Sequence, residues 1–101
     1  MKKKVELKSQ HKNQEWTFLS NHSHVLICLH KDPDMRLRDV AEIVGITERA
    51  VQTIVRDLVD AEILEITKDG RRNKYNIHID RPLRHPLEAH HSIAQLLKLG
   101  K

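Results

Sequence analysis

Cysteine is nearly missing from this chain. Cys28 is the only one in 101 residues, which leaves no partner for an intramolecular disulfide and no thiolate cluster for a structural zinc. Glycine and proline occur three times each, a scarcity that favours a folded, helix-rich chain over a disordered one. No long hydrophobic run exists either: the longest, Val25 to Leu29, has five residues, against the roughly 20 that cross a bilayer. Nothing resembles a signal peptide, so a cytoplasmic protein with no membrane partner is expected. Catalytic hardware is also lacking. There is no glycine-rich phosphate loop and no close carboxylate pair beside an obvious pocket, and Cys28 lies among apolar residues rather than next to an activating group. Neither an enzyme nor a bound cofactor is expected.

What is present suffices for one domain with one modest core, since 39% of residues are hydrophobic and 32% charged. The formal net charge is +4, but residues 1 to 12 hold five lysines against one glutamate. Residues 13 to 101 balance thirteen basic side chains with thirteen acidic ones. Bulk basicity is therefore a property of the tail, and a nucleic-acid reading rests on where the other positive charge is concentrated. Lys68, Arg71, Arg72 and Lys74 fall within seven positions and are opposed there only by Asp69.

Residues 1 to 14 show no sustained periodicity and read as a flexible basic tail. Trp16, Phe18 and Leu19 then open the apolar part of the chain. Asn21 or Ser23 suits the cap of a helix running to about His30, in which Val25, Leu26, Cys28 and Leu29 have helical spacing. Asp32-Pro33-Asp34 stops it, because proline restricts its predecessor and lacks an amide donor. Leu37, Val40, Ala41 and Val44 mark a short helix ended by Gly45. Thr47 caps a longer helix to about Ala61, with Ala50, Val51, Ile54, Val55, Leu58 and Val59 as its apolar stripe. Two helices joined by a glycine-containing turn result.

Beyond Glu62 the pattern changes to a β-hairpin. Tyr75, Ile77 and Ile79 keep strict period two, and Asp69-Gly70 suits a turn of positive φ with the basic residues at its tip. A short strand near Arg36 is a possible third partner. Pro86 fits the first turn of a last helix through about Leu99, carrying Ile93, Ala94, Leu96 and Leu97.

On the 47 to 61 helix, Val51, Ile54 and Leu58 project at about 40°, 340° and 20° from Thr47 at 100° per residue. Arg49, Gln52, Thr53 and Arg56 project at about 200°, 140°, 240° and 180°, opposite the apolar side. Glu48 and Asp57 flank that polar face. Arginine can donate two hydrogen bonds to guanine, and glutamine can pair with adenine, when a helix enters the major groove. Arg71 and Arg72 suit backbone phosphates or an adjacent minor groove, with Lys68 and Lys74 as weaker contributors. Thr47 and Asn73 suit phosphate hydrogen bonds. The plain alternatives are a solvated helix face and a charged loop. A short preceding helix, a readable face and a basic hairpin in succession favour double-stranded DNA.

At this point residues 16 to 80 resemble the winged helix-turn-helix domain of MarR/ArsR-like bacterial and archaeal transcription regulators. The resemblance is carried by Leu37-Arg38-Asp39-Val40-Ala41, by Val44-Gly45-Ile46-Thr47-Glu48-Arg49-Ala50-Val51 and by Leu58-Val59-Asp60-Ala61-Glu62-Ile63-Leu64. Thr67 to Tyr75 resembles that family's wing. The stretch from Trp16, with Arg84-His85-Pro86-Leu87-Glu88, is similar to a compact subgroup of about this length. The resemblance implies an α+β fold, a winged helix-turn-helix over residues 15 to 80 with a β-hairpin wing, and an additional C-terminal helix within residues 81 to 101. It further implies a homodimeric repressor reading a pseudo-palindromic operator, with 47 to 61 as recognition helix and 68 to 74 as wing. Metal sensing is not implied, because paired cysteines are absent, and no small-molecule effector is identified.

The expected dimer surface joins Trp16, Phe18 and Leu19 with Leu87, Ile93, Ala94 and Leu97. Eight histidines raise a metal reading, but none forms the helical i,i+4 couple that presents two ligands, so no metal site is assigned. His85 beside Pro86 suits capping of the last helix. The alternative function is a winged-helix protein-interaction module, in which the last helix or the 47 to 61 face docks on a partner.

Overall fold

Ser20 is extended at φ −76° and ψ 167°, and its hydroxyl accepts from the Ser23 amide, so a helix begins directly after it, at Asn21. This computed structural model describes residues 15–101; the tail expected over 1–14 lies outside the described residues. The elements in order are α1 (Asn21–Lys31), α2 (Leu37–Val44), α3 (Glu48–Asp60), β1 (Leu64–Asp69), β2 (Arg72–Ile77) and α4 (Ile93–Leu97), which a 3-10 turn over Lys98–Gly100 extends. The cap of α1 is thus one residue before Asn21 and three before Ser23, the expected candidates, because Ser20 holds the extended backbone that an N-cap needs.

Gly45 closes α2 in the left-handed region at φ 88° and ψ 32°, its N–H donating to the Ala41 carbonyl. There an L side chain would meet its own backbone. Two residues on, the Thr47 hydroxyl accepts from the Ala50 N–H at 3.0 Å and starts α3. Val51, Ile54, Val55 and Leu58 are buried. They join Val25, Leu26, Cys28 and Leu29 of α1 and Val40 and Ala41 of α2 in one core.

The end of α3 uses a Schellman closure. Ile63 N–H donates to the Leu58 carbonyl at 2.9 Å, and Glu62 N–H to the Val59 carbonyl at 2.9 Å. Glu62 itself has φ 62°, a left-handed position usually given to glycine. Burial of both Leu58 and Ile63, each 5% exposed, supplies the apolar contact that accompanies this motif.

The hairpin pairs β1 with β2 antiparallel, in the register Leu64↔Ile77, Ile66↔Tyr75 and Lys68↔Asn73. Its two-residue loop puts Gly70 at φ 67°, as the first central position of a type II′ turn requires. Leu64 and Tyr75 are buried, whereas Ile79 lies beyond the strand and is 48% exposed. The expected third strand near Arg36 does not form among the described residues: the sheet has two strands. A single main-chain bond stands there instead, from Tyr75 N–H to the Pro33 carbonyl at 2.8 Å.

The C-terminal segment departs most from expectation. Residues after Pro86 form turns rather than a helix, and α4 starts only at Ile93. Ser92 and Gln95 make a capping box that fixes this start. Upstream, Leu83 N–H bonds the His91 carbonyl and Ile93 N–H bonds the Arg81 carbonyl, so the chain doubles back on itself where a helix was expected. His85 caps a local turn, its Nδ1 accepting from Leu87 N–H at 3.0 Å. Ile93 and Leu97, expected at a dimer surface, are 2% and 3% exposed within the single chain and belong to its core. Helices followed by a hairpin, on one apolar core, make the α+β winged helix-turn-helix arrangement.

Candidate nucleic-acid interface

The outward face of α3 carries the first set of side chains. Arg49, Gln52, Thr53 and Arg56 are all exposed, while the opposite stripe is fastened into the core by Val51 and Leu58, 0% and 5% exposed. From Arg49 to Arg56 the helix rises about 10 Å, roughly three steps of 3.4 Å along a DNA strand. Such a face can address a short half-site. No described hydrogen bond or ion pair engages these four side chains.

The flanks of the face are acidic, and each has a structural use. Glu48 occupies the first turn of α3, where its charge complements the helix dipole. A phosphate at that terminus would meet this carboxylate. Asp57 turns back to α1, its Oδ2 lying 2.9 Å from His22 Nε2. Thr47 lends its hydroxyl oxygen to Ala50 N–H and keeps the O–H donor for another acceptor.

The wing residues do not form one patch. Opposed residues share a face of an antiparallel pair, so Lys68 and Asn73 lie on the face of Ile66 and Tyr75, and Lys74 and Arg72 lie on the other. Arg71 is in the loop. Lys68, Arg71 and Lys74 are exposed. Asn73 is half-buried and its amide donates to the Tyr75 hydroxyl at 3.4 Å. Arg72 is exposed yet occupied: Nη1 donates to the Asp34 carbonyl at 3.0 Å.

Sequence reasoning passed over four contributors. Arg36 and Arg38, both exposed at the start of α2, sit where the first helix of such a motif crosses the DNA backbone; two arginines flanking a helix start were the available signal. The Asp32-Pro33-Asp34 turn was read only as a helix stop, yet it supplies both carbonyls that receive the wing. Glu62 carries no sequence sign of a left-handed cap.

Elsewhere, Trp16, Phe18 and Leu87 are 69%, 92% and 76% exposed, and Trp16 meets Phe18 edge-on at 5.0 Å between ring centroids. Leu19 and Ala94 are half-buried. A groove of about 800 Å³ opens beside Phe18 and Leu19, lined by Leu26, Leu58 and Ile93 together with Arg84, Asp57, Asp60 and Glu88. Among the described residues no three His, Cys, Asp or Glu side chains cluster for a metal ion, and no helix is long and apolar enough to cross a membrane.

Residues 20–65 match the family model described as winged helix-turn-helix DNA-binding. That span runs from the cap of α1 to the second residue of β1. No curated protein and no solved structure matches the chain. The fold is a winged helix-turn-helix, and just under half of the chain, residues 20–65, is similar to the DNA-binding family of that fold. The matched span holds the whole helix-turn-helix, α2 and α3 with the turn between them.

Proposed function

We propose that the chain is a sequence-specific transcription regulator of MarR/ArsR-like kind, acting in the cytoplasm as a homodimeric repressor on a pseudo-palindromic operator. The observation that carries this reading is the face of α3, on which Arg49, Gln52, Thr53 and Arg56 are exposed and unengaged while the opposite stripe is locked in the core. Arg49, Gln52 and Arg56 read base edges in the major groove, and Thr47 and Thr53 serve phosphate or base contacts. Arg71 in the loop approaches the phosphate backbone or an adjacent minor groove, flanked by Lys68 and Asn73 on one face of the hairpin and by Lys74 on the other. Residues 15 to 80 form the DNA-binding domain, and the exposed Trp16, Phe18 and Leu87, with Leu19 and Ala94, provide the surface for a second copy.

Selection of bound fragments from random duplex DNA tests this directly. The expected product is a palindrome whose half-sites are about 10 base pairs apart, one turn of DNA. Arg49→Ala or Arg56→Ala then lowers discrimination between that site and random duplex by roughly 1–3 kcal/mol. Equal losses on both duplexes would remove the reading role. A concentration-independent monomer in sedimentation would end the two-half-site assembly, and no affinity for duplex at low salt would end the DNA reading altogether.

A further inference from the structure

The two adjacent wing arginines are held differently. Arg71 lies in the loop, but Arg72 reaches sideways to the turn between α1 and α2, where Nη1 meets the Asp34 carbonyl at 3.0 Å. That turn is itself closed. Met35 N–H donates to the Asp32 carbonyl at 3.0 Å, with Pro33 at the second position, where its fixed φ suits a β-turn. The Pro33 carbonyl takes the Tyr75 N–H at 2.8 Å. Two successive carbonyls of one rigid turn thus receive β2 at two points, Tyr75 and Arg72.

These points are three residues apart, about 10 Å along a strand. The inner point alone leaves the ribbon beyond it free to swing, because β1 and β2 from Thr67 to Lys74 are exposed on both strands except for half-buried Asn73. A lone two-stranded ribbon has little stability of its own. The outer point removes that rotation. The surroundings of Arg72 are acidic as well: the neighbouring Asp34 raises the Asp32 carboxyl above its usual range, and the Arg72 charge acts on it in the opposite sense.

We propose that Arg72 is a positioning residue, a strut that sets the pitch of the wing against the α1–α2 turn, while Arg71 alone of the pair makes the phosphate contact. This rests on the DNA-binding reading and divides its labour. Losing a phosphate contact and losing a strut leave different signatures. A neutralised phosphate lowers the slope of log affinity against log salt by about 0.9. A loosened wing lowers affinity at every salt concentration and leaves that slope unchanged, since no counterion is involved.

The test uses the full chain, a mixed-sequence duplex, a salt series, and amide hydrogen exchange of the free protein. Arg71→Ala is expected to reduce the slope by about 0.9 per substituted site with Tyr75 exchange unchanged. Arg72→Ala is expected to weaken binding about fivefold at constant slope, through the cost of ordering a freed segment, and to speed exchange of the Tyr75 amide. Arg72→Lys, which keeps a donor and most of the reach, restores both. A slope loss in Arg72→Ala equal to that of Arg71→Ala, or unchanged affinity, overturns the strut. If the parent chain binds no duplex at low salt, the DNA reading fails by itself; Tyr75 exchange then still decides whether Arg72 holds the wing.

Discussion

The joint between α3 and the hairpin rests on one residue in an unfavourable conformation, and replacing it measures the stored energy. Glu62 sits at φ 62°, where an L side chain costs roughly 1–2 kcal/mol. Glycine removes that cost but returns about 0.4–1 kcal/mol through the greater freedom of the unfolded chain. The carboxylate also lies 3.7 Å from Arg81 Nη2, with the Glu62 side chain 78% exposed, an ion pair worth between about 0 and 1 kcal/mol in solvent. Glu62→Gly and Glu62→Ala both lose that pair, so their difference isolates the backbone. Glu62→Gly is expected to be the more stable by about 1 kcal/mol, or roughly 4–8 °C in Tm for a domain of this size. Urea titration followed by far-ultraviolet circular dichroism is the suitable assay, because the single tryptophan, Trp16, is already 69% exposed and reports unfolding poorly. An alanine variant as stable as the glycine variant, at equal m-value, would refute a left-handed cap at this joint.

Thr47→Ala removes the hydroxyl that accepts from Ala50 N–H at 3.0 Å; a loss of about 1 kcal/mol is expected, with Thr47→Ser close to the parent in the same titration. Burial pushes the Cys28 thiol above its usual range, and the Lys31 charge offsets part of this. The folded protein therefore holds that proton more tightly than the unfolded chain. The resulting stabilisation is complete below the ordinary thiol value of about 8.5 and is lost as pH rises through the folded value. Unfolding midpoints between pH 8 and 10 are expected to fall more steeply in the parent than in Cys28→Ala, whose midpoint is lower throughout; parallel curves would remove the effect.

Much of the fold was legible because local and tertiary signals agreed. Val51, Ile54 and Leu58 recur at helical spacing, Thr47 is a good cap, Gly45 is required by its φ of 88°, and each points to the same two-helix unit. The exposure of Arg49, Gln52, Thr53 and Arg56 follows from that spacing alone. The C-terminal helix was misplaced because proline at a first turn is permitted but not sufficient. Ser92 and Gln95 spell a capping box that outcompetes it, and the backbone bonds from Leu83 to His91 and from Ile93 to Arg81 reveal themselves only in three dimensions. The wing was readable as a hairpin. Its division into two faces needed the register, and the grip of Arg72 on Asp34, 38 positions away, has no local signal at all.

The relocation of Ile93 and Leu97 into the core also redirects the proposed dimer. A side chain 2% or 3% exposed in one chain has no apolar area left to offer a second. What remains near the groove is Phe18, 92% exposed, on a lining that carries Arg84 and the carboxylates of Asp57, Asp60 and Glu88. Two-fold symmetry requires one patch to complement itself, so a second copy would have to set its Arg84 against these carboxylates while the Phe18 rings pack. The same groove is bounded by Asp57 and Leu58 of α3, so a copy seated there would bear on the end of that helix. Half-site spacing and dimer geometry would then be set by one contact, with α4 acting as its support from beneath rather than as its surface.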